Sequence, residues 1–321
     1  MPAMKRTVDR LSSIPGEVLL LTAAIIWGSG FVAQRKAMDG MQPFAFIALR
    51  FFLGCLVLSP ALIAKVTSRK LESINSLDLK VFLKRQVLPG VVMGMLMFAG
   101  TSMQQLGIMT TSAAKAGFLT SLYLVLVPIM GLFMGKKSNR WVWMGMALAL
   151  TGVYFLSVDQ QFSIQSGDIL MIIGALFWAM QILALDHFGS KMDSLELAFG
   201  QFLVTAILGL IVSLISESGP MIPKMDAWVP LLYSGVIAVG IGFTLQVFGQ
   251  SKVDPALAAL IMSLEAVFAL LGGMLLLGER LSGREWFGCV LMLAGVILVQ
   301  LRGQQQKPDL TSPDPMGSQT A

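Results

Sequence analysis

The sequence predicts an all-α polytopic membrane protein, with ten transmembrane helices arranged as two inverted five-helix repeats. Three observations carry that reading. The 321 residues are 55% hydrophobic and only 13% charged, against about 25% charged in ordinary soluble domains. The mean hydropathy is +0.77, too high for a 34.6 kDa globule that must cover its surface with polar groups. Apolar runs long enough to cross a bilayer recur ten times, and the first half of the pattern returns in the second. This composition excludes a soluble enzyme, a disordered chain and a nucleic-acid binder. The net charge of +5 reads as an excess of Lys and Arg in cytoplasmic loops.

The first five runs are Glu17–Gln34, Pro43–Ala64, Val87–Leu106, Ala113–Met134 and Trp141–Val158. The second five are Asp168–Leu185, Leu195–Ser216, Trp228–Phe248, Ala256–Leu277 and Glu285–Leu301. Connectors such as Gly135–Arg140 and Asp159–Gly167 are short and polar, which makes neighbouring helices antiparallel. None of the runs alternates with period two, so a β-barrel is excluded. The basic stretch before the first run resembles a signal peptide, but that run is a full span without a cleavage site, and it reads as a retained helix.

Orientation follows from Lys and Arg. With the N-terminus in the cytoplasm, sixteen fall in inside segments and five in outside segments, while Arg50 and Lys115 lie within spans. Both termini are therefore expected inside. The chain divides into a cytoplasmic segment 1–16, a first repeat 17–158, a second repeat 168–301 and a polar, disordered tail 302–321.

The duplication is visible residue by residue. Trp143, Gly145, Leu148, Leu150, Gly152 and Val153 recur 143 residues later as Trp286, Gly288, Leu291, Leu293, Gly295 and Val296. The same offset pairs Ala113 with Ala256 and Gly135 with Gly278. Earlier in the chain an offset of 151 pairs Trp27 with Trp178 and Phe51 with Phe202. Five helices is an odd number, so the second copy enters the membrane upside down. Inverted repeats of this kind build many secondary transporters, with the substrate site near midplane between the halves. The repeated glycines, seven apart on one helix face, serve close packing.

Several motifs resemble the drug/metabolite transporter superfamily in its ten-helix EamA-type branch. They are Trp27-Gly28-Ser29-Gly30-Phe31, Leu49-Arg50-Phe51, Ala113–Leu119, Ser263-Leu264-Glu265-Ala266-Val267 and Leu277-Gly278-Glu279-Arg280-Leu281. The resemblance covers about residues 17–301. It departs at Ala266, where the family commonly has proline, a difference that bears on the kink of span nine. The resemblance implies two EamA repeats and an inner-membrane carrier of small metabolites such as amino acids, vitamins or drug-like compounds, with export the favoured direction.

Charges within hydrocarbon are costly and mark function by default. Glu265 and Arg50 both lie near midplane, one in each half, opposite Leu122 and Gln201 under the repeat. The candidate substrate-binding residues are Glu265, Arg50, Trp27, Trp178, Tyr123 and Gln181. The two tryptophans are a symmetric pair within the spans, placed to wall a cavity. Tyr123 and Gln181, with Gln104, Gln105 and Gln246, supply polar groups suited to bonds between helices. Lys115 can snorkel to the outer surface. Glu265 is also the candidate carrier of a coupling proton, unless Arg50 pairs with it. The partners implied are a small-molecule substrate and the lipid bilayer.

The remaining chemistry is sparse. Cys55 and Cys289 sit in apolar runs, and His187 is the single histidine. No metal-ligand, disulfide or cofactor pattern results. An intramembrane enzyme would need Ser29 and His187 together, but they lie at different depths. A phosphate-binding loop is absent. The chain therefore reads as a carrier and not as an enzyme; the alternatives are an intramembrane enzyme or a sensory membrane protein.

Overall fold

A backbone crossing hydrocarbon must satisfy its own N–H and C=O groups, and a helix does so within one segment. The computed structural model follows this rule. It describes residues 13–70, 87–110, 113–136, 139–157, 166–189, 191–219, 221–277 and 282–304, and no strand occurs among them. The first half comprises α1 (Gly16–Ala37), α2 (Pro43–Lys70), α3 (Leu88–Gly107), α4 (Ala113–Ser121), α5 (Tyr123–Phe133) and α6 (Arg140–Ser157). The second half comprises α7 (Ser166–Gly189), α8 (Ser194–Ser216), α9 (Trp228–Leu232), a π-helical stretch Tyr233–Phe243, α10 (Thr244–Gln250), α11 (Pro255–Met262), α12 (Glu265–Leu277) and α13 (Gly283–Gln304). Seven helical stretches among the described residues are long and apolar enough to cross a membrane.

The structure corrects the sequence reading at three places. Span four breaks at Leu122 and span nine at Ser263–Leu264. Both breaks tighten the hydrogen-bond ladder to i−3 bonds, Leu122 N to Leu119 O and Leu264 N to Ile261 O. At each one a serine hydroxyl, Ser121 or Ser263, also bonds to a carbonyl of the preceding turn. Such back-bonding bends helices, so span nine breaks without the proline that Ala266 replaces. The third correction is at the end of the chain's last helix. α13 continues to Gln304, beyond the predicted boundary at Leu301. The residues before Ser13, residues 71–86 and 278–281, and those from 305 lie outside the described residues, as does the side chain of Lys115.

The most extensive helix pairing joins α6 to α13. A Cβ on Gly145 would lie 2.7 Å from the Gly295 oxygen, and one on Gly152 would lie 2.5 Å from the Gly288 oxygen. The order of these contacts makes the two helices antiparallel. Small residues allow this backbone approach where lipid offers no hydrophobic driving force. α2 and α8 form a second antiparallel pair, tied at both ends. Glu217 accepts from Phe44 N and Ala45 N at 2.7 and 3.0 Å, which satisfies the free N–H groups at the start of α2. At the other end Asp193 caps α8 through Leu195 N and Glu196 N and pairs with Lys65. The remaining helices pack between these two pairs and leave a cavity where the halves meet.

Candidate functional site

The cavity is lined from both halves. α1 contributes Trp27, Gly30, Phe31 and Gln34, spaced i, i+3, i+4 and i+7, which is one helical face. α2 adds Arg50 and α3 adds Gln104. The two broken spans place Thr120 and Tyr123 on one side, and Met262 and Glu265 on the other. α7 supplies Trp178 and Ile182, and the π-helical stretch with α10 supplies Ala238, Val239, Phe243 and Gln246. The space amounts to about 610 Å³ when the solvent at its opening is counted with it.

An aromatic layer crosses this space. Trp27 and Trp178 both meet Phe243, at centroid separations of 4.6 and 5.7 Å, the second pair nearly parallel at 17°. Phe51 and Phe202 approach the same ring at 6.1 and 6.4 Å. Glycine makes room beneath each indole: Gly242 faces Trp27 and Gly100 faces Trp178. The indole N–H groups are satisfied, Trp27 donating to Ala238 O at 3.1 Å and Trp178 to Gln104 Oε1 at 3.0 Å.

Glu265 and Arg50 face the same cavity without pairing. Glu265, 4% exposed, accepts a 3.1 Å hydrogen bond from Tyr123 Oη on Oε1. Arg50, 5% exposed, lies over the rings of Phe46 and Phe51 at 5.1 and 5.2 Å. Its Nε has no hydrogen-bond partner. No ion pair joins Arg50 to Glu265 among the described residues.

Glutamines extend the polar surface in two directions. Gln104 Nε2 donates to Gln34 Oε1 at 3.2 Å. Gln246 Nε2 donates to Gln181 Oε1 at 3.1 Å, and Gln181 Nε2 to Gln201 Oε1 at 3.3 Å. Buried amides of this kind hold helices in register and are costly when unsatisfied.

Of the six residues singled out from sequence, Trp27, Arg50, Tyr123, Trp178 and Glu265 line the cavity. Gln181 sits behind the wall, fully buried, and reaches it through Gln246. Sequence reasoning missed Gln34 and Phe243. Gln34 was legible as the i+7 partner of Trp27. Phe243 gave no signal, because π-helical winding shifts it away from the 3.6-residue register. Ser29 and His187 are not brought together. Ser29 bonds to Tyr233 Oη and Ile26 O, while His187 contacts Lys191 Nζ at the far end of α7.

A long apolar helical bundle with a central cavity, lined from both halves by aromatic and polar side chains, is the build of a membrane transporter. The EamA-like transporter family model matches twice, at residues 14–158 and 165–301, and the chain belongs to that family. An uncharacterized transporter of Archaeoglobus fulgidus is 35% identical, the alignment covering 88% of this chain and 85% of that protein. The uncharacterized inner membrane transporter YedA of Escherichia coli (strain K12) is 26% identical over 88% of this chain and 89% of its own length. A solved crystal structure superposes with a TM-score of 0.74 at 20% identity, covering 90% of this chain and 98% of that one. At that identity the likeness concerns the fold alone.

Proposed function

We propose that the protein is a secondary carrier of the inner membrane that moves a small metabolite by alternating access through the central cavity, in the export direction. The observation that carries this is the cavity itself, walled by both halves, with Arg50 and Glu265 in its lining. On this reading ten helices cross the membrane as two inverted repeats, 17–158 and 168–301, with both termini cytoplasmic. The relatives' names favour a transporter, and YedA's name favours the inner membrane.

The packing supports inversion. Equivalent helices meet antiparallel, α6 with α13 and α2 with α8. Contacts also occur in exchanged pairs: Gly16 abuts Gly249 as Gly167 abuts Gly107. Gly16 and Gly167 are 151 residues apart, and Gly107 and Gly249 are 142 apart. The two breaks fall at matching depth in spans four and nine, the arrangement of discontinuous helices around a transporter site.

The substrate site is proposed to be Glu265, Arg50, Trp27, Trp178 and Tyr123, with Gln181 bracing Gln246. Glu265 is free of Arg50, so it is available to carry a coupling proton. Uptake by proteoliposomes, screened over amino acids, vitamins and drug-like solutes, tests the carrier reading. Saturable flux supports it, and its absence across the screen sinks it. An imposed pH gradient should drive flux in wild type but not in Glu265→Gln; flux indifferent to the gradient removes the proton. Outside labelling of an introduced cysteine at Gln161, and not at Ser138 or Gly303, tests the orientation. The reverse pattern would overturn it.

A further inference from the structure

We propose that the substrate carries one carboxylate-class anion that docks on Arg50, attached to an apolar or aromatic body that packs in the aromatic layer. This rests on the central cavity being the transport site. The starting point is a missing partner. Arg50 is buried and faces the cavity, yet among the described residues it makes no ion pair, and its Nε has no hydrogen-bond acceptor. A guanidinium offers five N–H donors. The rings of Phe46 and Phe51 offset part of the cost of burying the charge, but they accept none of those hydrogen bonds in the plane of the fork.

The protein's own carboxylate does not fill the role, since Glu265 lines the same cavity without forming an ion pair with Arg50 and takes its hydrogen bond from Tyr123. Nor does packing require a charge at this depth. The equivalent residue in the second half is the neutral Gln201, fully buried and bonded to Gln181. The Arg50 charge is therefore additional to what the scaffold needs. A planar fork matches a carboxylate in bidentate fashion. No other Lys or Arg lines the cavity among the described residues, which favours a monoanion over a phosphate dianion. The remaining lining joins neutral amides and hydroxyls to the faces of Trp27, Phe243 and Trp178, a surface suited to a flat apolar body.

The test is a binding titration of purified protein in detergent, read by fluorescence of the cavity tryptophans, with phenylacetate and its neutral isostere phenylacetamide. Wild type should bind the acid at least about tenfold more tightly, the scale of a charge-assisted hydrogen bond. Arg50→Gln, which installs the residue of the equivalent position, should abolish that preference. Arg50→Lys, which keeps the charge but not the fork, should retain part of it. Equal binding of acid and amide, a preference that survives Arg50→Gln, or no binding of either overturns the proposal. The carrier reading is scored apart by plugging the cavity with Gly30→Trp, at a position whose Cβ would have no neighbour closer than 4.0 Å. Flux that stops on plugging, in a protein with no acid preference, removes the anion site and leaves the carrier. Acid preference without flux does the reverse.

Discussion

The two halves of the molecule agree where they pack and differ where they are charged. Trp27 and Trp178, Phe51 and Phe202, and the glycines of α6 and α13 recur at fixed offsets and serve equivalent contacts in the structure. Arg50 faces a matching Gln201, Glu265 a matching Leu122, and Tyr123 a matching Ala266. Those three residues of the cavity have no counterpart of like chemistry. The repeats share a packing plan, and the unmatched groups of the centre, Arg50 and Tyr123 from the first half and Glu265 from the second, break its two-fold symmetry. A two-fold scaffold with an asymmetric centre can hold an asymmetric solute in a single orientation, which a fully symmetric cavity cannot.

The largest effect is expected where the halves agree most closely. At the α6–α13 seam a Cβ on Gly152 would stand 2.5 Å from the Gly288 oxygen, and one on Gly145 would stand 2.3 Å from Val299 Cγ2. Backbone cannot yield as a flexible side chain can, and overpacking costs about 1–3 kcal/mol or more. Gly152→Leu should abolish monodisperse protein in detergent, and Gly145→Ala should already lower the melting temperature. This geometry makes Gly145→Ala unsuitable as a control for Arg50→Ala and Glu265→Ala. Gly283→Ala on α13, with nothing within 4 Å of the added methyl, is the appropriate control. A Gly152→Leu protein that elutes and melts like wild type would mean that the seam is not a close backbone contact.

Next in size is the effect of making the charged centre alike in the two halves. Arg50→Gln with Glu265→Leu gives each position the residue of its repeat mate. Both mates are tolerated at equivalent depth in the present structure, Gln201 fully buried and Leu122 within the wall of the bundle. The double variant should therefore fold, with thermal stability equal to wild type or above it, because replacing buried charge by neutral groups is often neutral or stabilising. Transport should fall by at least about tenfold. If flux persists at wild-type levels, the asymmetry is ornamental and the packing residues alone define the pathway.

The scaffold was legible in the sequence because its determinants are local or periodic. Apolar runs, small polar connectors and repeated glycines are each read within one segment, and every run is helical over its described residues apart from the two breaks. The breaks themselves were not legible. Ser121 and Ser263 make hydroxyl bonds to the preceding turn at the breaks, but Ser29 and Ser59 make such bonds inside unbroken helices, so a serine alone marks no break. The site was legible as far as buried charge and symmetric tryptophans could mark it. Phe243 escaped because its position depends on π-helical winding over Tyr233–Phe243, a property of how this span meets α1 and α2. That Arg50 and Glu265 share a cavity without pairing also depended on three-dimensional placement, since equal depth says nothing about azimuth.

The smallest and most informative change is Tyr123→Phe. The ring is 4% exposed, and phenylalanine keeps its shape, so packing should be preserved. What disappears is one donor, the hydroxyl 3.1 Å from Glu265 Oε1. A buried hydrogen bond to a carboxyl group contributes about 0.5–3 kcal/mol, depending on its charge. The removal leaves Glu265 without its hydrogen bond from Tyr123. If Tyr123 acts by aiming that carboxyl at the solute, the substrate concentration for half-maximal flux should rise by roughly threefold to tenfold, with little change in melting temperature. The same substitution in a Glu265→Gln background should then have less effect, because the two residues act through one contact and their energies are not additive. Equal effects in both backgrounds would mean that Tyr123 meets the solute directly. No effect in either would leave Glu265 oriented by the break at Ser263–Leu264 alone, and would place the asymmetry of the centre in the two charges without the hydroxyl.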